Sequence, residues 1–206
     1  VLMSGFVVGF GKPDQDKARA AAELIRHRGP HASGAYADRR VFMVQHYLRA
    51  DGPAAASAEI PRGDKNLRLC YDGQMGDGSD PAASGPACEE DAVLAGYREA
   101  GTDMFKRLGD AIFAFVISDG DKLLAGRDLL GIKTLFYGKQ GETIYLASEL
   151  KCITQITDQV FEFPPGHYLT EKGEFIRFAE LPPAPDNYPD RELEKIASDL
   201  RELITR

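Results

Sequence analysis

The sequence predicts a layered α/β sandwich whose sheets are mainly antiparallel. Three observations lead to it: a short apolar strand at the N-terminus, an amphipathic helix after it, and a long series of strands with hairpin signals in the second half. Strands and helices do not alternate as a parallel βαβ repeat would require. A chain of 206 residues can bury a substantial core, so its length favours one domain with a short appendage.

Apolar periodicity and turn residues place the individual elements. Helices are predicted over 14–27, 89–100 and 190–206, with short helical pieces at 105–108 and 149–153. Strands are predicted over 6–8, 35–37, 41–48, 67–71, 111–117, 122–125, 134–137 and 143–147. Loops or turns are predicted at 26–34, 51–64, 72–74, 76–87, 119–120, 127–131 and 164–167, and a stiff Pro-rich linker at 181–185.

Composition and charge exclude several classes of function. Apolar residues make up 43% of the chain and charged residues 28%, which is ordinary for a soluble globular protein. The net charge of −7 disfavours a nucleic-acid partner, because phosphate binding needs a basic surface. No apolar run is long enough to cross a bilayer and no signal pattern is evident, so we expect no membrane partner and a cytoplasmic location.

The cysteines and glycines give no sign of a metal or cofactor. Cys70, Cys88 and Cys152 lie far apart, and the four histidines share no metal-ligand spacing with them. We therefore expect no metal, and we expect the thiols to act as small buried apolar groups. The sequence contains neither a Gly-x-Gly-x-x-Gly nor a P-loop motif, so no cofactor is expected.

The N-terminal segment holds the first candidate site residue. Ser4 precedes Gly5 and the apolar strand, so its side chain would be held firmly at the strand's exposed start, within reach of a substrate. Taken alone, the local sequence favours a plainer alternative, in which Ser4 is only a polar residue at a frayed terminus.

Four segments farther along the chain carry a resemblance to a known family. Residues 26–34, 126–137, 147–151 and 164–167 read RHRGPHASG, GRDLLGIKTLFY, ASELK and PPGH. In this order they resemble the class II glutamine amidotransferases, specifically the N-terminal glutaminase domain of glutamine-hydrolysing asparagine synthetases. The resemblance covers most of residues 3–170.

The resemblance implies a fold, a domain division and partners. The fold is α+β, a four-layer αββα sandwich of two antiparallel sheets of the N-terminal nucleophile hydrolase type. Residues 1–180 form the glutaminase-like domain, and residues 181–206 form a linker and helix leading to an ATP-dependent synthetase-like domain. The implied substrate is glutamine or a similar small amide, and a homodimer is left open.

The resemblance also implies a mechanism and a set of site residues. In the family an N-terminal Cys attacks the glutamine amide, its α-amine acts as base, and glutamate and ammonia are released. An Asn-Gly pair forms the oxyanion hole, an Arg binds the substrate carboxylate, and acidic residues bind its amine. The corresponding residues here are Ser4, Asp72 and Gly73 as the catalytic group, and Arg49, Gln74, Glu89 and Arg28 as the substrate-binding group.

This sequence departs from the family at the positions that carry the chemistry. Ser4 is a poorer nucleophile than a thiol, and Met3 precedes it, so its nitrogen is an amide. Asp72 places a carboxylate where a developing oxyanion needs a hydrogen-bond donor. Leu48 occupies the position of the carboxylate-binding arginine, and Arg49 is one residue away, on the other face of a regular strand.

Several residues of the resembling segments have a structural explanation of their own. We expect Arg127 and Asp128 to form a buried or turn ion pair. Glu149 and Lys151 are expected at a helix cap and on the surface, and His167 is expected to be structural.

Three functions stay open at this point. The first is a glutaminase that uses Ser4, either as it stands or after removal of Met3; a deliberate Cys-to-Ser replacement would give the same sequence. The second is a catalytically degenerate amidotransferase fold with a binding or regulatory role. The third is an N-terminal nucleophile amidase acting on a different amide.

Overall fold

Two six-stranded antiparallel sheets lie face to face between two helical layers. The predicted four-layer α+β sandwich is thereby confirmed. This computed structural model of the protein describes residues 4–48, 61–64, 67–75, 89–108, 111–181, 183 and 192–205.

The elements have the following bounds in chain order. The strands are β1 Gly5–Phe10, β2 Ala32–Ala37, β3 Val41–Tyr47, β4 Arg62–Asp64, β5 Leu67–Gln74, β6 Ile112–Ser118, β7 Leu123–Arg127, β8 Phe136–Gln140, β9 Thr143–Ala147, β10 Val160–Glu162, β11 His167–Thr170 and β12 Phe175–Arg177. The helices are α1 Gln15–Glu23, α2 Glu89–Ala100, α3 Leu150–Thr154 and α4 Leu193–Thr205. Two 3-10 helices cover Arg26–Arg28 and Gly101–Arg107.

The topology brings the start of β1 next to the end of β5. The first sheet has the order β10-β8-β9-β1-β3-β2, so β1 lies inside it and is buried along its whole length. The second sheet has the order β12-β11-β7-β6-β5-β4. The beginning of β1 pairs with the end of β3, as Gly5 lies opposite His46.

Three apolar clusters hold the four layers together. The central cluster fills the space between the sheets with side chains such as Phe6, Met43 and Val116. A second cluster packs α1 and α3 on the outer face of the first sheet. A third packs α2 and the 3-10 helix 101–107 on the second sheet. Alternate residues of β1 enter different clusters, because side chains of a strand point to opposite faces.

Several local predictions are confirmed. Asp14 caps α1 by accepting a hydrogen bond from the backbone N–H of Lys17. The predicted helix 89–100 matches α2 residue for residue, and Gly101 closes it with a φ of +55°. Cys70 and Cys152 are buried free thiols, and burial raises the pKa of both, that of Cys152 to about 12.

Three predicted loops are wrong in part. The predicted loop 26–34 contains the 3-10 helix Arg26–Arg28 and the start of β2 at Ala32. The predicted turn 72–74 continues β5, where Asp72, Gly73 and Gln74 pair with β6. The missing side chain of Gly73 makes room for the ring of Tyr71 rather than for a turn, since a Cβ there would lie 2.5 Å from the ring. Residues 62–64, predicted as loop, form β4 because they pair with the first half of β5.

The C-terminal helix forms as predicted and stays apart from the core. No residue of α4 is buried, and apolar residues such as Leu193 and Leu203 are largely exposed. The linker prediction falls mostly outside the described residues, as does Cys88, and the division at residue 180 stays a prediction. Among the described residues, every helix is too short or too polar to cross a membrane, and the cytoplasmic location also stays a prediction.

Candidate functional site

Ser4 lies at the junction of the two sheets. It immediately precedes β1 and is 3% exposed. Its backbone N–H donates a hydrogen bond to Asp72 Oδ1 at 3.1 Å, and its carbonyl accepts one from Arg28 Nε at 2.9 Å. The plainer alternative of a frayed terminal serine is therefore wrong, because Ser4 is fixed on both sides of its backbone.

Asp72 is the centre of the site. Its carboxylate is 1% exposed and lies on β5, in the sheet opposite Ser4. Arg28 Nη2 lies 2.8 Å from Oδ2, and Lys133 Nζ lies 2.8 Å from Oδ1. Three donors from three segments thus converge on this one carboxylate.

Arg28 reaches the site from the 3-10 helix 26–28. Gly29 allows this helix to lie against β3, because a Cβ at Gly29 would overlap the backbone of His46 and Tyr47. Gly5 provides the space for the arginine side chain, since a Cβ there would lie 3.0 Å from Arg28 Cδ. The two glycines therefore set the position of the guanidinium.

Lys133 reaches the site from the loop after β7. The Asp128 carboxylate accepts hydrogen bonds from the backbone N–H groups of Ile132 and Lys133, at 2.9 and 3.0 Å. Arg127 Nε donates to the carbonyl of Lys133 at 2.8 Å. Arg127 pairs with Glu162 rather than with Asp128, so the predicted pair does not form. Arg127 and Asp128 instead each form hydrogen bonds with the backbone of the loop that carries Lys133.

Glu149 extends the ionic cluster of Asp72, Arg28 and Lys133 towards the surface. Its Oε1 accepts from His27 Nε2 at 3.1 Å and Arg28 Nη1 at 3.4 Å, and Lys151 Nζ lies 2.9 Å from Oε2. Burial opposes the charged form of Glu149, but Lys151 and Arg28 outweigh it, so its pKa lies below the ordinary glutamate value. Glu149 lies at the predicted N-cap position of α3, but its side chain makes no capping hydrogen bond and contacts the neighbouring cations instead.

Glu89 and Tyr71 form a second polar group where α2 packs on the second sheet. Tyr71 Oη donates to Glu89 Oε2 at 3.1 Å, and the backbone N–H of Met75 donates to Glu89 Oε1 at 3.2 Å. Burial, together with the charge and hydrogen bond of Glu89, raises the pKa of Tyr71 well above its ordinary value. Both oxygens of Glu89 therefore already accept hydrogen bonds from within the domain.

Gln45 connects the two sheets next to this group. Its Nε2 donates to the carbonyl of Tyr71 at 2.7 Å, and its Oε1 accepts from the N–H of Tyr71 at 3.3 Å. The pairing of β4 with β5 ends at Leu69. The main-chain N–H and C=O of Tyr71 therefore lie beyond β4, and the side chain of Gln45 provides their hydrogen-bond partners. This contact fixes β5 against β3 one residue before Asp72.

Comparisons with known proteins give the site a family. The chain is 31% identical over 189 residues to asparagine synthetase (glutamine-hydrolysing) 1 of Saccharomyces cerevisiae, covering 84% of the chain and 33% of the relative. It is 32% identical over 174 residues to asparagine synthetase B (glutamine-hydrolysing) of Escherichia coli, covering 78% of the chain and 31% of the relative. A family model described as a glutamine amidotransferase domain matches residues 85–155.

The chain belongs to the class II glutamine amidotransferases. It is homologous to the N-terminal part of asparagine synthetases and spans about a third of the length of these relatives. The fold agrees: glutamine phosphoribosylpyrophosphate amidotransferase from B. subtilis superposes with a TM-score of 0.66 at 16% identity, covering 85% of this chain and 49% of that one. A class II domain protein from Silicibacter pomeroyi gives 0.52 at 14% identity, covering 86% and 100%.

The amidotransferase domain brings together three of the seven predicted site residues, and a fourth lies in a separate group. Ser4, Arg28 and Asp72 are joined by hydrogen bonds, and Glu89 lies in the separate polar group that contains Tyr71, the residue before Asp72. Gly73 lies on β5 next to Asp72, Gln74 is exposed at the end of β5, and Arg49 lies outside the described residues. In the described part of the chain, no group of three or more His, Cys, Asp or Glu side chains could hold a metal ion.

Sequence reasoning missed the part that Lys133, Glu149 and Gln45 take in the amidotransferase site. The sequence carried one indication for Lys133, which is the single charged residue in the stretch 129–137. A charged side chain in such an apolar segment is rarely buried without a partner of opposite charge. Glu149 and Gln45 gave no local signal, because each contacts residues more than twenty positions away.

Proposed function

We propose that this amidotransferase domain does not hydrolyse glutamine and acts as a binding or regulatory module beside a synthetase-like domain. The observation that carries the proposal is the carboxylate of Asp72 at the position corresponding to the family's oxyanion hole, held there by Arg28 and Lys133. Relatives of three times this length are named as asparagine synthetases, which supports the synthetase-like partner.

The chemistry at Asp72 opposes amide hydrolysis. The tetrahedral intermediate of amide attack carries a negative oxygen that needs hydrogen-bond donors, and loss of one donor costs about 100–1000-fold in kcat. A carboxylate offers only acceptors and adds repulsion. The two nearby cations give little compensation, because both already pair with Asp72.

The surroundings of Ser4 oppose its activation. Joined to Met3, its nitrogen is an amide whose N–H points at Asp72, and an amide is not a base. If residues 1–3 were removed, the new α-amine would lie beside the same carboxylate, which favours its protonated form. A protonated amine cannot accept the proton of the serine hydroxyl.

The state of Glu89 opposes glutamine binding. In the resembling family an acidic residue at this position holds the substrate amine, whereas here Tyr71 and Met75 already donate to both oxygens of Glu89. Capture of an ammonium group would have to displace an internal hydrogen bond. We expect isothermal titration calorimetry to detect no heat of glutamine binding at millimolar concentrations.

Ammonia release from glutamine tests the proposal directly. The assay compares the full chain, the chain trimmed to begin at Ser4, and the trimmed chain with Ser4→Cys, each with circular dichroism to verify the fold. We expect no release above the buffer rate from any of them. The trimmed Ser4→Cys/Asp72→Asn variant restores both family residues and is the informative comparison, since any recovered activity must appear there first.

Two results decide against the proposal. Glutamine-dependent ammonia from the trimmed chain with Ser4 intact would make the domain a serine glutaminase. Release of ammonia from another small amide, with glutamine inert, would assign it to the amidases. The E. coli asparagine synthetase B relative serves as the positive control for the assay.

A further inference from the structure

We infer that Ser4, Arg28 and Lys133 form an anion-binding cradle for small carboxylates, and that the chain's own Asp72 occupies it. The inference deepens the proposed function and rests on it only in treating Asp72 as an internal anion rather than a catalytic group. The inference is tested by the effect of formate on thermal stability and not by glutamine hydrolysis, so the inference and the proposed function can fail separately.

The geometry of the three donors is that of a carboxylate site. Ser4 N–H and Lys133 Nζ both approach Oδ1, at 3.1 and 2.8 Å, and Arg28 Nη2 approaches Oδ2 at 2.8 Å. One neutral and two charged donors thus bind both oxygens of a single carboxylate, and the two charged contacts have the length of charge-assisted hydrogen bonds. Nothing in this arrangement depends on the carboxylate being covalently attached to β5.

The donors are held in place independently of Asp72. Lys133 is fixed through its backbone by Asp128 and Arg127, and Arg28 is fixed by the carbonyl of Ser4 and by Glu149. Ser4 precedes a strand that is paired on both sides. A cradle braced in this way keeps its shape when its ligand is removed, because the supporting contacts remain.

The site is shielded from water. Asp72 is 1% exposed, and the side chains of Lys133 and Arg28 are 9% and 13% exposed. Charge attraction is strongest where water is excluded, and the three donors together offset the cost of removing the carboxylate from water. Asp72 is present at an effective concentration that no free carboxylate reaches, which keeps the cradle closed to outside anions.

Chemical rescue tests the cradle in the intact chain. Asp72→Ala deletes the carboxylate and leaves a space of its size between the donors. Formate, which restores the missing atoms, is the probe. We expect saturating formate to raise the Tm of Asp72→Ala by about 2–4 °C or more, and to leave the wild-type chain unchanged.

Three controls separate cradle binding from a general salt effect. Asp72→Asn fills the same space with an amide, so its Tm should not respond to formate. Formamide has the shape of formate without the charge and should not rescue Asp72→Ala. Adding Lys133→Met to Asp72→Ala should raise the formate concentration for half-maximal response by about tenfold, because one charged donor is lost.

The result that overturns the inference is equally specific. Equal formate responses of Asp72→Ala and Asp72→Asn, or no response of Asp72→Ala, would mean that the donors do not bind a free carboxylate. If Asp72→Ala is unfolded without formate, recovery of its circular dichroism spectrum by formate supports the cradle. Failure of formate to fold both Asp72→Ala and Asp72→Ser overturns it.

Discussion

At the scale of single residues, the site depends on which atoms surround Asp72. A carboxylate removed from water is costly unless its oxygens are paired and hydrogen-bonded. Arg28, Lys133 and the Ser4 N–H provide those partners. Under the proposed function, the three contacts that stabilise Asp72 in the core also occupy the donors that a catalytic oxyanion would need.

Removal of one cation should destabilise the fold. We expect Lys133→Met to lower the free energy of unfolding by about 3 kcal/mol, because it leaves the buried Asp72 carboxylate with one charged partner instead of two. Urea unfolding followed by circular dichroism measures the change.

The matched control for this variant is Lys106→Met. Lys106 pairs with Asp103 on the surface, where both side chains are largely exposed. Exposed pairs contribute little, so the control should unfold at the wild-type urea concentration. Equal effects of the two substitutions would contradict the importance assigned to the Asp72 contacts.

At the scale of elements, two short segments deliver the cations. The 3-10 helix 26–28 carries Arg28, and the loop 128–133 carries Lys133. Neither segment is stable by itself, since a single helical turn and a loop contribute few internal hydrogen bonds. The 3-10 helix is positioned by close contact with β3, and the loop is positioned by the side chains of Asp128 and Arg127, so these contacts matter more than local propensity.

A methyl group at Gly29 should disrupt the first of these contacts. Gly29→Ala places a Cβ on the backbone of His46 and Tyr47, which must move the 3-10 helix away from β3. We expect a loss of about 3 kcal/mol in the free energy of unfolding, at the upper end for overpacking. Thermal and urea unfolding both measure it.

Gly96→Ala is the opposite case on the same chain. Gly96 lies in α2, and a Cβ there would meet nothing nearer than Met104 at 3.7 Å. The substitution should stabilise the domain by about 0.5–1 kcal/mol, since alanine favours the helix. A loss of stability in Gly96→Ala, or none in Gly29→Ala, would contradict the assigned packing.

At the scale of the whole molecule, the ionic cluster crosses the layers. It runs from Lys151 on α3 through Glu149 and Arg28 to Asp72 on the second sheet. The apolar core between the sheets holds them together, and this cluster with Gln45 adds polar contacts at one end. The stability of the fold should therefore depend on the ionisation of the cluster.

Acid should weaken the domain through Glu149. Its pKa in the fold lies below the ordinary value of about 4.3, so its contribution is fully present above that pH and is lost as the pH falls through the folded value. We expect Glu149→Gln to be less stable than the wild-type chain at pH 6 and the difference to shrink towards pH 3. Unfolding free energies measured across this range test it.

The control for the pH profile is Glu142→Gln on an exposed turn. It should follow the wild-type profile over the whole range. A difference between Glu149→Gln and the wild-type chain that stays constant with pH would mean that Glu149 acts through packing rather than through charge.

The sequence determined the fold and the family. Apolar alternation defined most of the strands, and helix caps defined α1 and α2, because these patterns reflect burial along a single element. Motif order predicted the family, and the relatives confirm it. The departures at Ser4 and Asp72 stay predictions from the resemblance.

Only the tertiary structure decided which side chains surround Asp72. Asp72 could have faced water, a substrate or a partner, and its contacts with Arg28 and Lys133 span 44 and 61 positions of the chain. The predicted turn at 72–74 was wrong for the same reason, since β6 pairs with those residues from far along the chain. A side chain's charge is a local property, whereas the partners that balance it are brought together only by the packing of the two sheets.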